Sequence, residues 1–306
     1  MDGGAMTQNT LHSRFLGLHF GCAVADALGH WTDDTSQTLC LSSSLSSSSS
    51  TDGFSLSSQV SNYVKWWKEG YLTSTDPPGC FDIGVSTRLA LLTYSSVLRN
   101  GGQFEDALER VREKLDQENY AGNGSLMRCS PIGAAYWNRS CSEVEHYARE
   151  SSRTTHPYSL NGELCALYSL IVQGAMLGRS KDDLKNVLRS FEVAPGVDDA
   201  ELVEVVKGME WENWPRERVK STGYIFDTLI AALWAFFTTD SFRDGAIKAV
   251  NLGDDADTIG CVFGGLAGAF YGVEQIPQEW LDGLRKRELI EQVAEELFER
   301  FGKTLA

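Results

Sequence analysis

The sequence is short of positive charge: 27 lysines and arginines stand against 42 aspartates and glutamates, a formal net charge of −15. Nucleic acid and anionic membrane surfaces both call for basic patches, so neither is expected as the main partner. Cysteines occur, but never as a C-x-x-C pair. The seven of them, at positions 22, 40, 80, 129, 141, 165 and 261, form an odd and scattered set. That pattern excludes a disulfide framework or a cysteine zinc site and fits reduced thiols in the cytoplasm, the nucleus being compatible too. The opening MDGGAMTQNTLHSRF has no basic stretch followed by an apolar core, and no hydrophobic run is long enough for a membrane span. No fixed-period repeat and no long linker divides the chain, and strand signals are few and short.

What is present is helical periodicity. With 306 residues and 42% hydrophobic content, the chain can bury a large core. Residues 13–29 (SRFLGLHFGCAVADALG) are apolar all round, with Gly17, Gly21 and Ala25 four apart, which predicts a buried, closely packed helix. A helix from Thr35 to Leu45 is expected to dissolve into serines 46–50, with 42–54 as a flexible Ser-rich loop. Further helices are expected at 55–69, 84–99, 104–118, 142–152, 160–177, 181–190 and 199–209, then at 223–237, 241–250, 257–271 and 285–301. The expected architecture is one all-α domain over 13–303, preceded by a flexible N-terminus at 1–12.

Two acidic elements carry the chemistry. HWTDDTSQT (30–38) puts Asp33 and Asp34 between two threonines at a helix start, and NLGDDADTIG (251–260) puts Asp254, Asp255 and Asp257 at another, beside Thr258. N-capping explains one carboxylate per helix start, but not two or three. Behind the second element, Gly260, Gly264 and Gly268 form a stripe like that of the first helix. If the stripes face each other, Asp26, Asp33 and Asp34 meet Asp255 and Asp257 at one end of the pair. Buried carboxylates need neutralising, and oxygen-only ligands favour Mg²⁺ or Mn²⁺ over Zn²⁺. Four such acids balance two divalent ions. An EF-hand is excluded because Ile259 and Leu266 stand at its fifth and twelfth positions. Isoprenoid-synthase DDxxD motifs fail at Gln37 and Thr258, and aspartyl-phosphate phosphatases place their acids on an early strand. Separately, Gly122, Asn123, Gly124 and Ser125 are small enough to turn backbone N–H groups towards one point, a nest suited to diphosphate.

Together these segments resemble the ADP-ribosylglycohydrolase family, which includes the dinitrogenase-reductase-activating and ADP-ribosyl-acceptor hydrolases. The resemblance runs through GLHFGCAVADALG, WTDDTSQTL, GCFDIGVSTRLAL, AGNGSLMRCSPIG, SSRTTHPYS, STGYIFDTLIAALWAF and AVNLGDDADTIG. It implies a compact orthogonal helical bundle, a dinuclear Mg²⁺ centre and hydrolysis of the bond between ADP-ribose and an acceptor protein or small molecule; a monomer is expected. The metal ligands it implies are Thr32, Asp33, Asp34, Asp255, Asp257 and Thr258. Asp33 or Asp34 would accept a proton from water, and Asp82 would face the acceptor. Asp26 would lie near the site. Gly122, Asn123, Gly124, Ser125, Met127, His156 and Tyr224 would contact ADP-ribose. The sequence departs from the family in one place: an insert carrying an acidic residue usually separates DALG from TDDT, whereas here Gly29 and His30 lead directly into Trp31. That departure leaves an alternative, a non-catalytic ADP-ribose-binding or structural protein on the same fold.

Overall fold

In a computed structural model of the chain, residues 7–27 and 30–303 are described. They form fifteen α-helices and no strand. The first eight are α1 (Gln8–Asp26), α2 (Asp33–Ser47), α3 (Leu56–Glu69), α4 (Val85–Arg99), α5 (Phe104–Leu115), α6 (Ser130–Ala135), α7 (Cys141–Ser152) and α8 (Ser159–Met176). There follow α9 (Lys181–Ser190), α10 (Ala200–Gly208), α11 (Ile225–Phe237), α12 (Phe242–Val250), α13 (Ala256–Tyr271), α14 (Gln278–Gly283) and α15 (Arg287–Phe301).

Helices α1, α8, α11 and α13 have no wide polar face, so each can only be stable inside the molecule. α13 lies at the centre, packed on α1, α8, α11 and α12. The α1–α13 pair is antiparallel and touches backbone to backbone. A methyl group at Gly264 would sit 2.0 Å from the Gly21 carbonyl oxygen, one at Gly268 1.8 Å from that of Gly17, and one at Gly260 1.9 Å from that of Ala25. Glycine in a helix costs about 1 kcal/mol relative to alanine, and this close packing offsets it. The two stripes therefore do face each other. The C-terminal end of α1, with Asp26, meets the N-terminal end of α13, with Asp255 and Asp257.

Two sequence expectations are corrected. α1 begins at Gln8, with Thr7 as its N-cap, so residues 8–12 are helical and Leu11 is buried. α2 continues to Ser47 and is buried almost throughout, so 42–47 are not loop. Ser46 and Ser47 donate to the carbonyls of Ser42 and Ser43 within the helix, whereas Ser42 meets His19 Nε2 at 2.8 Å and Ser43 meets the Tyr71 hydroxyl at 3.0 Å. Beyond the helix, the Arg300 guanidinium donates to the carbonyls of Ser46, Ser48 and Ser50 at 2.6–2.8 Å. Positive charge at a helix C-terminus is favourable, and here it ties the serine run to α15. α6 and α14 were not expected. Leu28 and Gly29, in the short DALG-to-TDDT connection, lie outside the described residues, as do 1–6 and 304–306.

Candidate active site

Asp26 ends α1 as a buried carboxylate. Four donors converge on it: Thr32 N at 3.0 Å and Oγ1 at 2.9 Å, and Thr35 N at 3.2 Å and Oγ1 at 2.6 Å. These bonds shape the turn that starts α2. Thr32 is the N-cap of α2, with its hydroxyl accepting from Asp34 N, so Asp33 and Asp34 occupy the first turn and neither is the cap. The helix dipole favours their charge there, but only in part. Asp33 and Asp34 are both buried, Asp34 being 1% exposed. Burial, then the charges of Asp82, Asp26 and Asp257, pushes Asp33 up to about 8. Burial, then Asp33, Asp26 and Asp257, carries Asp34 well above the ordinary carboxylate range. Asp26 is raised to about 7 by burial, against the opposing pull of its threonine bonds.

The second cluster reaches the same point from α13. Asp255 precedes the helix, and its amide donates to Ser221 O at 3.1 Å. Its carboxylate accepts from Asn123 Nδ2 at 2.5 Å and Thr258 Oγ1 at 3.3 Å. Burial raises its pKa, while the Asn123 bond opposes that rise. One carboxylate oxygen of Asp257 stands with one each from Asp26 and Asp34, the three within 4.8 Å of one another. Asp254 is exposed, in a left-handed conformation at φ 49°, and turns away from the cluster to Ser221.

This arrangement fits a hard divalent cation on two observations. First, Asp34 Oδ1 is buried with no hydrogen-bond partner among the described residues. Second, Thr32 Oγ1 lies 2.9 Å from Asp26 Oδ1 and 2.8 Å from Asp34 Oδ2, yet it has one hydrogen to give. Either Asp34 holds a proton, as its raised pKa implies, or its oxygens and the hydroxyl share a cation. The surrounding donors are oxygens only, the set preferred by Mg²⁺ and Mn²⁺.

Asp82, exposed and at φ 57°, stands near enough to raise the Asp33 pKa. It does not cap α4: its carboxylate accepts from Ile83 N at 2.8 Å, and the N-cap is Gly84. Around Asn123 the chain makes a 3₁₀ turn, Asn123–Ser125. It is fixed by backbone bonds from Asn123 N to Gly223 O (3.0 Å) and from Ile225 N to Ala121 O (3.1 Å). The side chains of this turn do not all face outward. Ser125 turns to Asn161 and Cys165, and Met127 is buried in the core, so a contact from either would be through its backbone. Gly124 lies against the buried His156 ring, whose Nδ1 bonds Thr155 Oγ1 at 2.8 Å. Tyr224 lines a groove of about 510 Å³ with Gly122, Gly223, Glu118 and Asn119.

The sequence model of the family described as ADP-ribosylglycohydrolase matches residues 7–305. The chain belongs to the ADP-ribosylglycohydrolase family. It is 32% identical over 275 residues to the ADP-ribosylarginine hydrolase Tri1 of Pseudomonas putida (strain GB-1), covering 90% of this chain and 67% of that protein. It is 27% identical to the ADP-ribosyl-[dinitrogen reductase] glycohydrolase of Rhodospirillum rubrum, covering 94% of this chain and 97% of that one. A solved structure described as an ADP-ribosylglycohydrolase-related protein complex superposes with a TM-score of 0.75 at 33% identity, over 95% of this chain and 99% of that chain. Family membership places the chain among enzymes, the hydrolases of ADP-ribosyl bonds. No described helix is long and apolar enough to cross a membrane.

In this member of the ADP-ribosylglycohydrolase family, several residues around the acids escaped the sequence reading. Thr35 holds Asp26. Thr228 holds Asn123 at 2.9 Å. Gln37 donates to Asp33 Oδ2 at 3.1 Å and accepts from Arg128 Nη1 at 2.6 Å. Thr35 and Gln37 were visible as part of TDDTSQT. Arg128, 91 positions away from Gln37, has no local signature.

Proposed function

We propose that this chain is a divalent-metal-dependent ADP-ribosyl-acceptor hydrolase, acting on arginine-linked ADP-ribose with a dinuclear Mg²⁺ centre. The observation that carries the reading is the convergence of the buried Asp26 and Asp34 and the half-buried Asp257 on one point beside a 3₁₀ turn and a nucleotide-sized groove. Thr32, Asp33, Asp34, Asp255, Asp257 and Thr258 would hold the ions. Asp26, already saturated by threonine donors, keeps that set in place. When bound, the ions supply Lewis-acid polarisation of the ribose hydroxyls and of water.

The chain's own residues do the rest. Tyr224 and the Gly122–Gly124 turn seat the nucleotide, and the diphosphate passes over the turn towards His156. Asp33, between the cluster and the exposed Asp82, takes the proton of the attacking water. The water oxygen bonds to the anomeric carbon while the carbon–nitrogen bond breaks, its electron pair going to the guanidino nitrogen. A linked guanidinium leaves as the neutral guanidine and picks up a proton from solvent. The relatives named for arginine, at 32% and 33% identity, support that acceptor.

The deciding experiment incubates the protein with arginine-linked and, separately, serine-linked mono-ADP-ribosylated substrates, in Mg²⁺ or EDTA, and measures released ADP-ribose. Mg²⁺-dependent release from the arginine substrate is expected. Release unaffected by EDTA would overturn the metal assignment. ADP-ribose binding without release from either substrate would overturn the hydrolase reading in favour of a binding protein.

A further inference from the structure

Arg128 precedes α6 and is 1% exposed, yet no carboxylate pairs with it among the described residues. Its guanidinium stacks 4.2 Å from the centroid of the Tyr63 ring. It donates to Gln37 Oε1 at 2.6 Å, to Thr155 Oγ1 at 2.6 Å and, at 3.4 Å, to Thr154 Oγ1. A guanidinium has donors only and stays charged in proteins, so each of these oxygens must be the acceptor. That settles the orientation of the Gln37 amide: its oxygen faces Arg128 and its nitrogen faces Asp33.

The same reasoning reaches further at Thr155. Its oxygen accepts from Arg128, so its single hydroxyl proton has to go elsewhere. The other polar atom bonded to it is His156 Nδ1, at 2.8 Å. Were Nδ1 protonated, Thr155 would accept twice and its own proton would have no acceptor in a fully buried place. Nδ1 is therefore the acceptor, and the ring proton resides on Nε2.

We propose that Arg128, acting through Thr155, is a positioning residue that locks His156 in the Nε2–H tautomer and makes it a fixed hydrogen-bond donor to ligand oxygen over the Gly122–Gly124 turn. Nε2 makes no hydrogen bond among the described residues. It overlooks the turn: a Cβ on Gly124 would lie 3.1 Å from it, and one on Gly122 3.8 Å. Burial, with the charge of Arg128, pushes the imidazole down to about 3, so the ring is neutral and offers one N–H. The group it recognises is an acceptor oxygen of the diphosphate class, not a cation or a donor. This polarity rests on the proposed function for the identity of the ligand, but the tautomer does not.

The test uses the full-length, ¹⁵N-labelled protein and its Thr155→Val and Thr155→Ser variants, since removing Arg128 would leave several buried groups unpaired and risk unfolding. Long-range ¹H–¹⁵N correlations, assigned by loss of the His156 signals in His156→Gln, report which ring nitrogen is protonated. Calorimetry reports ADP-ribose binding. The wild type and Thr155→Ser should show an unprotonated Nδ1 and a protonated Nε2. Thr155→Val should show a mixed or reversed tautomer and bind ADP-ribose about tenfold more weakly, a difference of about 1.4 kcal/mol. A wild type protonated on Nδ1 overturns the lock. A folded Thr155→Val variant with altered tautomer and unchanged affinity overturns the donor role. A wild type that binds no ADP-ribose overturns the ligand half together with the proposed function, and the spectrum still decides the tautomer.

Discussion

The two acidic clusters look alike in sequence and differ in the folded protein. Asp33 and Asp34 sit inside the first turn of a buried helix, with Asp26 behind them gripped by Thr32 and Thr35. Asp255 and Asp257 are half-buried, at the mouth of α13, next to an exposed Asp254 in a left-handed turn. The first cluster is supplied with donors by its own neighbours in sequence. The second depends on Asn123, 132 positions away, for its short bond. One half is a buried wall whose carboxyls hold their protons well above the ordinary range, and the other is a more accessible rim. A cation and substrate arriving from solvent would meet the rim first, and would complete a wall that is short of positive charge without them.

The largest effect should come from separating the halves. Gly264→Val places a branched side chain where even a Cβ would be 2.0 Å from the Gly21 carbonyl oxygen. Overpacking at this contact should cost about 3 kcal/mol or more, since backbone cannot repack as a side chain can. Thermal unfolding by circular dichroism should show a sharply lowered Tm, or no folded protein. A variant with unchanged Tm would mean that α1 and α13 are not in backbone contact.

Next comes the contrast between wall and rim. In metal-free protein, Asp26 and Asp33 have folded pKa values of about 7 and about 8, raised above the ordinary carboxylate value near 4. The native state therefore holds more protons than the unfolded chain between about pH 4 and pH 8, and stability must fall as pH rises through that window. Tm in EDTA should decline from pH 5 to pH 8, and Mg²⁺ should restore it most at pH 8. Asp34→Asn removes one charge from the wall and should flatten the decline, raising Tm at pH 8 in EDTA. Asp255→Asn, at the half-buried rim, should flatten the slope less than Asp34→Asn does. Both variants should lose roughly 100-fold or more in turnover. Equal slopes in the wild type and Asp34→Asn would show that the wall carries no strain from charge.

How much of this was legible in the sequence follows the range of each interaction. The glycine stripes of α1 and α13 repeat every fourth residue, so their facing surfaces could be read, and so could the meeting of the acids at one end. The serine run 42–50 could not. Ser46 and Ser47 bond the helix's own carbonyls, and Arg300, some 250 positions on, binds the carbonyls at its end. Composition registers neither. Asn123 was read by its place in a small-residue loop, and the grip of its side chain on Asp255 and Thr228, both more than 100 positions away, has no local signature. Arg128 was not read at all, because a lone arginine becomes informative only when its buried partners are known.

The smallest effect concerns Asp82, and it depends on the leaving group. Asp82 stands exposed near Asp33, free of any capping role, and the proposed function would put it on the side of the acceptor. A serine-linked acceptor leaves through oxygen and needs a proton as the bond breaks, whereas a linked guanidinium already carries one. Asp82→Asn should therefore slow release of ADP-ribose from a serine-linked substrate, if the chain accepts one, by roughly 100-fold, the low end for a positioned acid–base group that relays a proton to the leaving oxygen. From an arginine-linked substrate the loss should be about tenfold or less, reflecting only the changed charge next to Asp33. The ratio of the two effects, measured as kcat/KM on both substrates, separates proton donation from mere electrostatics. Equal losses would assign Asp82 to holding the rim of the site rather than to the departure of the acceptor.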